Sequence, residues 1–326
     1  MLKPYFLFIL PVLAMLAVGF LAFGGGRTHA EEPALHEKIY VVTTTSHLAD
    51  MAENLNPGSL RIESLMGPGV DPHLFKPTSS DIAKLKDADI ILYSGLHLEG
   101  KMQELLQTMA KEKPALAVGE TIDQGHVLAG ENSPYDPHFW MDVTLWQHGV
   151  EQVAALFKEQ DPRHSAIYDA KSEDYRYKLA ELDSYIRSSI SSIQDKRKVL
   201  ITAHDAFRYF GRAYGMNVVG IQGLSTESEA GLRHIQDLAT MITDQDIPTV
   251  FTETSIPKRN VEALQEHVSH EGGRVQLGET LYSDSLGPKD QIEGTYIGMM
   301  MHNTQAIVQG LGGTMTAAST APIPVL

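Results

Sequence analysis

The sequence predicts an α/β fold built as two three-layer lobes with parallel sheets, joined by one long rigid helix. Three observations predict it. Short β-rich runs alternate with helix-spaced segments, the alternation occurs twice, and a stretch over 165–193 with neither Gly nor Pro separates the two series. Alternating strands and helices imply a parallel sheet covered on both faces, and right-handed crossovers give each half its three layers.

The first series opens with the run Lys38-Ile-Tyr-Val-Val-Thr43, followed by helical spacing over 45–55. Further strand-like runs fall at 60–66, 89–94 and 115–118, with helices at 79–86 and 99–111 between them. The second series begins at Lys198-Val-Leu-Ile-Thr202 and continues through 217–221, 249–251 and 274–277. Its helices are expected at 205–214, 230–243, 258–270 and 294–309. Between the series, apolar or aromatic residues recur at Tyr168, Tyr175, Leu179, Leu182, Ile186, Ile190 and Ile193, spaced by three, four or seven. That period belongs to a helix of roughly 43 Å, opened by Asp161-Pro162; the alternative is two shorter helices with a break near Ser184. The expected organisation is a signal peptide at 1–30, a first lobe at 31–160, the linking helix at 161–195, a second lobe at 196–310 and a flexible Gly/Ala/Thr/Pro tail at 311–326.

Composition narrows the function classes. The 326 residues are 43% hydrophobic and long enough for two large cores, so neither disulfide nor structural metal is needed to hold the fold. Against 26 Lys and Arg stand 41 Asp and Glu, a net charge of -15 that argues against nucleic acid. The cysteine count is 0, which excludes thiolate zinc sites, cysteine nucleophiles and a lipid-bearing cysteine within this sequence. Lys3, an apolar run to Phe23, three glycines and Thr28-His29-Ala30 read as a secretory signal peptide cleaved after Ala30. The expected compartment is the periplasm; an uncleaved anchor is the alternative.

Four positions carry chemistry. Two histidines follow the same dipeptide, in Gly69-Val-Asp71-Pro72-His73 and in Tyr135-Asp136-Pro137-His138. Each Pro fixes its own backbone and restricts the Asp before it, so each His stands on a rigid loop. His204 follows the apolar strand from Val199 and is expected at its carboxyl end, where α/β sheets place ligands. Asp284 lies in the loop Leu281-Tyr-Ser-Asp-Ser-Leu-Gly287 after the last strand. Convergence of the four would give three imidazoles and a carboxylate, a metal site. His47, His97, His126, His148, His164, His234, His267, His270 and His302 lack such a setting and read as surface or structural. Asp71, Asp136, Asp205 and Glu253 are candidates to hold the histidine rings or to act as ordinary caps.

With these residues in view, the chain resembles the metal-binding periplasmic solute-binding proteins of zinc and manganese ABC transporters. The resemblance runs through GPGVDPHLFKPT at 67–78, DPHFWMD at 136–142, TAHDAFRYF at 202–210, IQGLSTESEAG at 221–231, FTET at 251–254 and LYSDSLG at 281–287, covering essentially the whole mature chain. It implies two lobes on one backbone helix, metal ligands at His73, His138, His204 and Asp284, no catalysis, and delivery of Zn2+ or Mn2+ (with Fe2+ also compatible) to a membrane permease by a monomer. Members carry His or Glu at the third ligand, here His204. Zinc-dedicated members often carry a long His- and acid-rich loop, of which this chain has only a short stretch at 123–132. Many members are lipoproteins, and the missing cysteine departs from that. Three imidazoles and a carboxylate suit Zn2+ better than hard cations, and the Irving–Williams order ranks Zn2+ above Mn2+. A zinc hydrolase, with one position open to water, and a receptor for a siderophore or other organic solute are the competing readings.

Overall fold

The chain alternates as its hydrophobic pattern requires, in a computed structural model that describes residues 38–130 and 133–315. In order, the elements are β1 (Ile39–Thr43), α1 (Ser46–Leu55), β2 (Leu60–Ser64), α2 (Ser79–Asp87), β3 (Ile90–Tyr93), α3 (Gln103–Met109), β4 (Ala115–Ala117) and α4 (Val143–Gln160). Then come α5 (Ser165–Ser191), β5 (Val199–His204), α6 (Arg208–Tyr214), β6 (Asn217–Gln222), α7 (Leu232–Gln245), β7 (Thr249–Val250), α8 (Arg259–His270), β8 (Gln276–Leu277) and α9 (Tyr296–Gly310). The signal-peptide reading at 1–30 lies outside the described residues. Among those described, no helix is long and apolar enough to cross a membrane.

The first sheet has the order β2-β1-β3-β4 with every pair parallel; Val41 faces both Ile62 and Ile90. β1 and β3 are buried along almost their whole length, the signature of strands covered on both faces. The second sheet is less continuous than its pattern suggests. It consists of the parallel pairs β5-β6 and β7-β8, stitched together where the Phe251 N–H donates to the Ile201 carbonyl at 2.9 Å. β7 is only two residues long, and beyond it the strand pairing resumes as a single parallel bridge between Glu253 and Leu281. All strands of the second half aim their carboxyl ends at one region, which receives His204 and Glu253.

Helix α5 runs unbroken through Ser184. Tyr168, Tyr175, Leu179, Leu182, Ile186 and Ile190 are buried as one stripe, and the exposed Tyr177 lies on the opposite face. The sequence reading left α4 unassigned. Its stripe of Val143, Trp146, Val150, Val153 and Phe157 is helical, and Asp142 caps it by accepting the Thr144 N–H at 2.9 Å. The signal was masked by Gly149, which is a packing residue: a Cβ there would come within 2.9 Å of Val118.

The largest core spans both halves. It joins Val41, Leu48 and Trp146 to Leu200, Phe207 and Phe210 through the α5 stripe, and α9 adds Tyr296, Met299 and Ile307. Although α9 ends the second series, its first turn docks on the first: the Tyr296 ring stacks on Trp146 at 4.7 Å, and its N–H donates to Asp50 at 3.1 Å. Residues 311–315, expected as the start of a flexible tail, are packed against the fold. Leu311 is fully buried and the Thr314 N–H donates to Ser192 Oγ at 3.0 Å, so the ordered chain closes over the end of α5; residues 316–326 lie outside the described ones.

Asp50 sits where α1, α5 and α9 meet, accepting from the Tyr296 N–H and from the Tyr175 hydroxyl at 3.2 Å. Burial pushes its carboxyl up to about 6, against the two hydrogen bonds that favour the charged form. A raised folded-state value contributes stability that is complete below the ordinary carboxylate value and disappears as pH rises through 6. Asp50→Asn should therefore stabilise the fold by about 1–2 kcal/mol at pH 7.5, with the gain vanishing at pH 4. Thermal melts of both proteins across that range provide the check.

Candidate metal centre

The two Asp-Pro-His loops fold the same way because the Asp carboxylate competes for the backbone. Asp71 Oδ1 accepts the His73 N–H at 2.8 Å, and Asp136 Oδ1 accepts the His138 N–H at 3.0 Å. Each is an Asx turn, with the intervening Pro supplying the fixed torsion. At the end of β5, Glu253 Oε1 accepts the His204 N–H at 2.9 Å. All three histidines thus have their main-chain N–H on a carboxylate.

Two of the rings are held as well. His138 Nδ1 lies 2.8 Å from Asp136 Oδ1, and His204 Nδ1 lies 2.6 Å from Glu253 Oε2. Each contact commits Nδ1 and turns Nε2 inward. Asp284 meets the three rings from the loop after β8. Its position is fixed by the bridge between Leu281 and Glu253 and by the Trp140 indole N–H, which donates to the Ser283 carbonyl at 2.9 Å.

The four side chains that the sequence singles out converge. His204 Nε2 is 3.2 Å from Asp284 Oδ2, His73 Nε2 is 3.6 Å from the same oxygen, and His138 Nε2 is 3.5 Å from Oδ1. The Nε2 atoms of His73 and His138 are 3.3 Å apart. One ligand atom from each residue falls within 4.8 Å of the others, and all four residues are buried. A tetrahedron of donors about 2.05 Å from a central ion has edges of about 3.3 Å, so this spacing fits one transition-metal ion. Both Asp284 oxygens and His204 Nε2 lack a well-aligned hydrogen bond. A buried carboxylate without donors is costly, and a cation among these atoms removes that cost.

The electrostatics agree. Burial works to lower the His204 imidazole, but Glu253 and Asp284 outweigh it and hold it well above the ordinary histidine value. Burial works to raise Asp284, yet His204, His73 and His138 hold it well below the usual carboxylate range. Burial pushes His73 down to about 3. Flanked by two carboxylates, His204 is thus the ring whose protonated form the metal-free site favours.

Of the four candidates for holding rings, Asp136 and Glu253 do so, Asp71 holds the loop backbone, and Asp205 faces Arg208 at 3.7 Å. The nine histidines set aside stay outside the cluster. His148, His234 and His302 point a ring nitrogen at main-chain carbonyls, and His164 pairs with Asp161. His47 is buried beside Trp140, with ring centroids 5.2 Å apart. Sequence reasoning missed the Trp140–Ser283 bond and the contacts of Thr226 described below. Trp140 follows His138 by two residues, and its indole N–H was the available signal.

Residues 41–310 match the family described as zinc-uptake complex component A, periplasmic. The chain belongs to that family. It is 42% identical over 300 residues to a manganese-binding lipoprotein, MntA, of Bacillus subtilis, covering 91% of this chain and 98% of that one. It is 43% identical over 300 residues to a zinc-binding protein, TroA, of Treponema pallidum, covering 91% and 96%. The solved structure of the periplasmic zinc-binding protein TroA superposes with a TM-score of 0.82, covering 84% of this chain and 99% of that one. The α/β architecture with parallel sheets is thus that of a family of two-lobed solute-binding proteins. Glu253→Gln keeps the shape of the His204 support and removes its charge. It should weaken uptake of a divalent ion about 10–100-fold, measured by competition with a chromogenic chelator.

Proposed function

We propose that this chain is the receptor of a metal importer. It captures a divalent transition-metal ion on His73, His138, His204 and Asp284 outside the cytoplasmic membrane and hands it to the permease of an ABC transporter. The observation that carries the reading is the convergence of four buried donor atoms within 4.8 Å, from both halves of the chain, in a member of a metal-uptake family. Export follows from the reading of residues 1–30 as a signal peptide, and the chain acts as a monomer. The MntA relative is named a lipoprotein, whereas this sequence holds no cysteine to carry a lipid.

The cargo is Zn2+ or Mn2+. Imidazole and carboxylate donors at tetrahedral spacing favour Zn2+ on affinity, and Fe2+ falls between the two in the Irving–Williams order. The likeness to a manganese-binding and a zinc-binding relative is nearly equal, at 42% and 43% identity, so supply in the compartment decides what is carried. Catalysis is disfavoured by the donor count. A zinc hydrolase keeps the fourth position for water, and here Asp284 stands in it. An organic solute is disfavoured by size, because donors this close enclose a single ion.

Native mass spectrometry with elemental analysis of the secreted chain should find one Zn or Mn per molecule. Asp284→Ala should abolish retention while the metal-free protein still melts cooperatively; retention unchanged in that variant removes Asp284 from the ligand set. Binding should also weaken on acidification, because the His204 proton must leave as the ion enters. One proton released per ion gives about a tenfold loss of affinity per pH unit, checked by calorimetry in buffers of different ionisation enthalpy. His204→Glu should move the ratio of affinities toward Mn2+ by at least tenfold.

A further inference from the structure

The three imidazoles are not held alike. His138 and His204 are fully buried, and each ring is clamped through Nδ1 by a carboxylate. Among the described residues no carboxylate takes the His73 ring in that way. His73 belongs to the outer wall of the cluster: Gly69 before it is exposed, and Leu74 after it is 46% exposed. What fixes it is backbone, through Asp71 Oδ1 on its N–H.

Asp71 is itself held from the opposite half. Its second oxygen, Oδ2, accepts the Thr226 hydroxyl at 2.5 Å. Thr226 lies in the loop at 223–231 between β6 and α7. Two further ties cross at the same mouth. Glu227, next in sequence, pairs with Lys101 of the first half, and the Gly69 N–H donates to Ser285 Oγ at 2.8 Å, one residue from Asp284. This loop and β6 together line an open pocket of about 440 Å³.

We infer that Thr226 and Asp71 form a latch that positions His73, and that metal leaves by losing His73 first. This rests on the receptor reading above. With the latch closed, Asp71 holds the His73 backbone and the imidazole completes the donor set. When the 223–231 loop is drawn away, Asp71 loses its cross-tie and the His73 loop is freed. His138, His204 and Asp284 keep their supports. The ion is then held by three donors facing an open side, the arrangement from which a receiving site can take it. Thr226 and Asp71 are positioning residues acting through His73, and the Lys101–Glu227 pair supports them electrostatically.

The test is the rate at which a chromogenic chelator captures Zn2+ from the Zn2+-loaded full chain. Thr226→Val should raise that rate at least tenfold at unchanged stoichiometry, and Thr226→Ser should restore it. Lys101→Glu and Glu227→Lys should each accelerate release, and the double reversal should return it toward the wild-type rate. A structural defect would act everywhere, whereas a latch acts through one ligand. Thr226→Val should therefore add nothing to the release rate of His73→Ala, yet multiply that of Glu253→Gln. Release at the wild-type rate in Thr226→Val, or its full effect persisting in the His73→Ala background, would overturn the latch and leave the receptor standing. A wild-type chain that takes up no Zn2+ would overturn both.

Discussion

The structure is organised by one electrostatic constraint: a buried carboxylate, Asp284, sits among three imidazole nitrogens at 3.2 to 3.6 Å with neither oxygen in a well-aligned hydrogen bond. Such an arrangement is tolerated only where the surroundings prevent its collapse. Here they do so with carboxylates placed behind the rings. Asp136 and Glu253 take the outward nitrogens of His138 and His204, so those rings are held with Nε2 toward Asp284. The pairs β5-β6 and β7-β8 then have a purpose beyond core formation. Their stitching at Phe251 brings Glu253 beside His204.

The supports come from elements far apart in sequence, and the long core connects them. Trp140 illustrates the economy of the packing. It follows His138 in a short turn, its ring lies 5.3 Å from that imidazole, and its N–H holds the Ser283 carbonyl beside Asp284. The main-chain oxygen of Trp140 in turn accepts from the Tyr296 hydroxyl at 2.7 Å. One residue thus fixes a donor from each half and ties both to α9.

Much of this was legible in the sequence, for physical reasons that can be named. The α5 stripe has a helical period with no breaker, so both its existence and its continuity could be read. The two Asp-Pro-His loops were legible because a Pro after an Asp constrains backbone whatever surrounds it. α4 was missed because Gly149 weakens a helical pattern, while its reason for being there, the closeness of Val118, is tertiary. The break in the second sheet and the docking of Leu311 were likewise set by packing partners that no local pattern records. The four converging residues were found by their context; Thr226 was not, since a threonine in a polar loop carries no mark until its partner is known.

The way the three histidines are seated has a consequence for how such proteins change over time. In each case the carboxylate that shapes the loop binds the main-chain N–H of the position, so the loop conformation does not depend on which side chain the position carries. Exchange of the residue there alters the donor set and spares the scaffold. Preference among metals can accordingly drift by single substitutions, without a passage through misfolded intermediates. A lineage built on this frame is free to retune its inner sphere as metal supply changes from one habitat to the next.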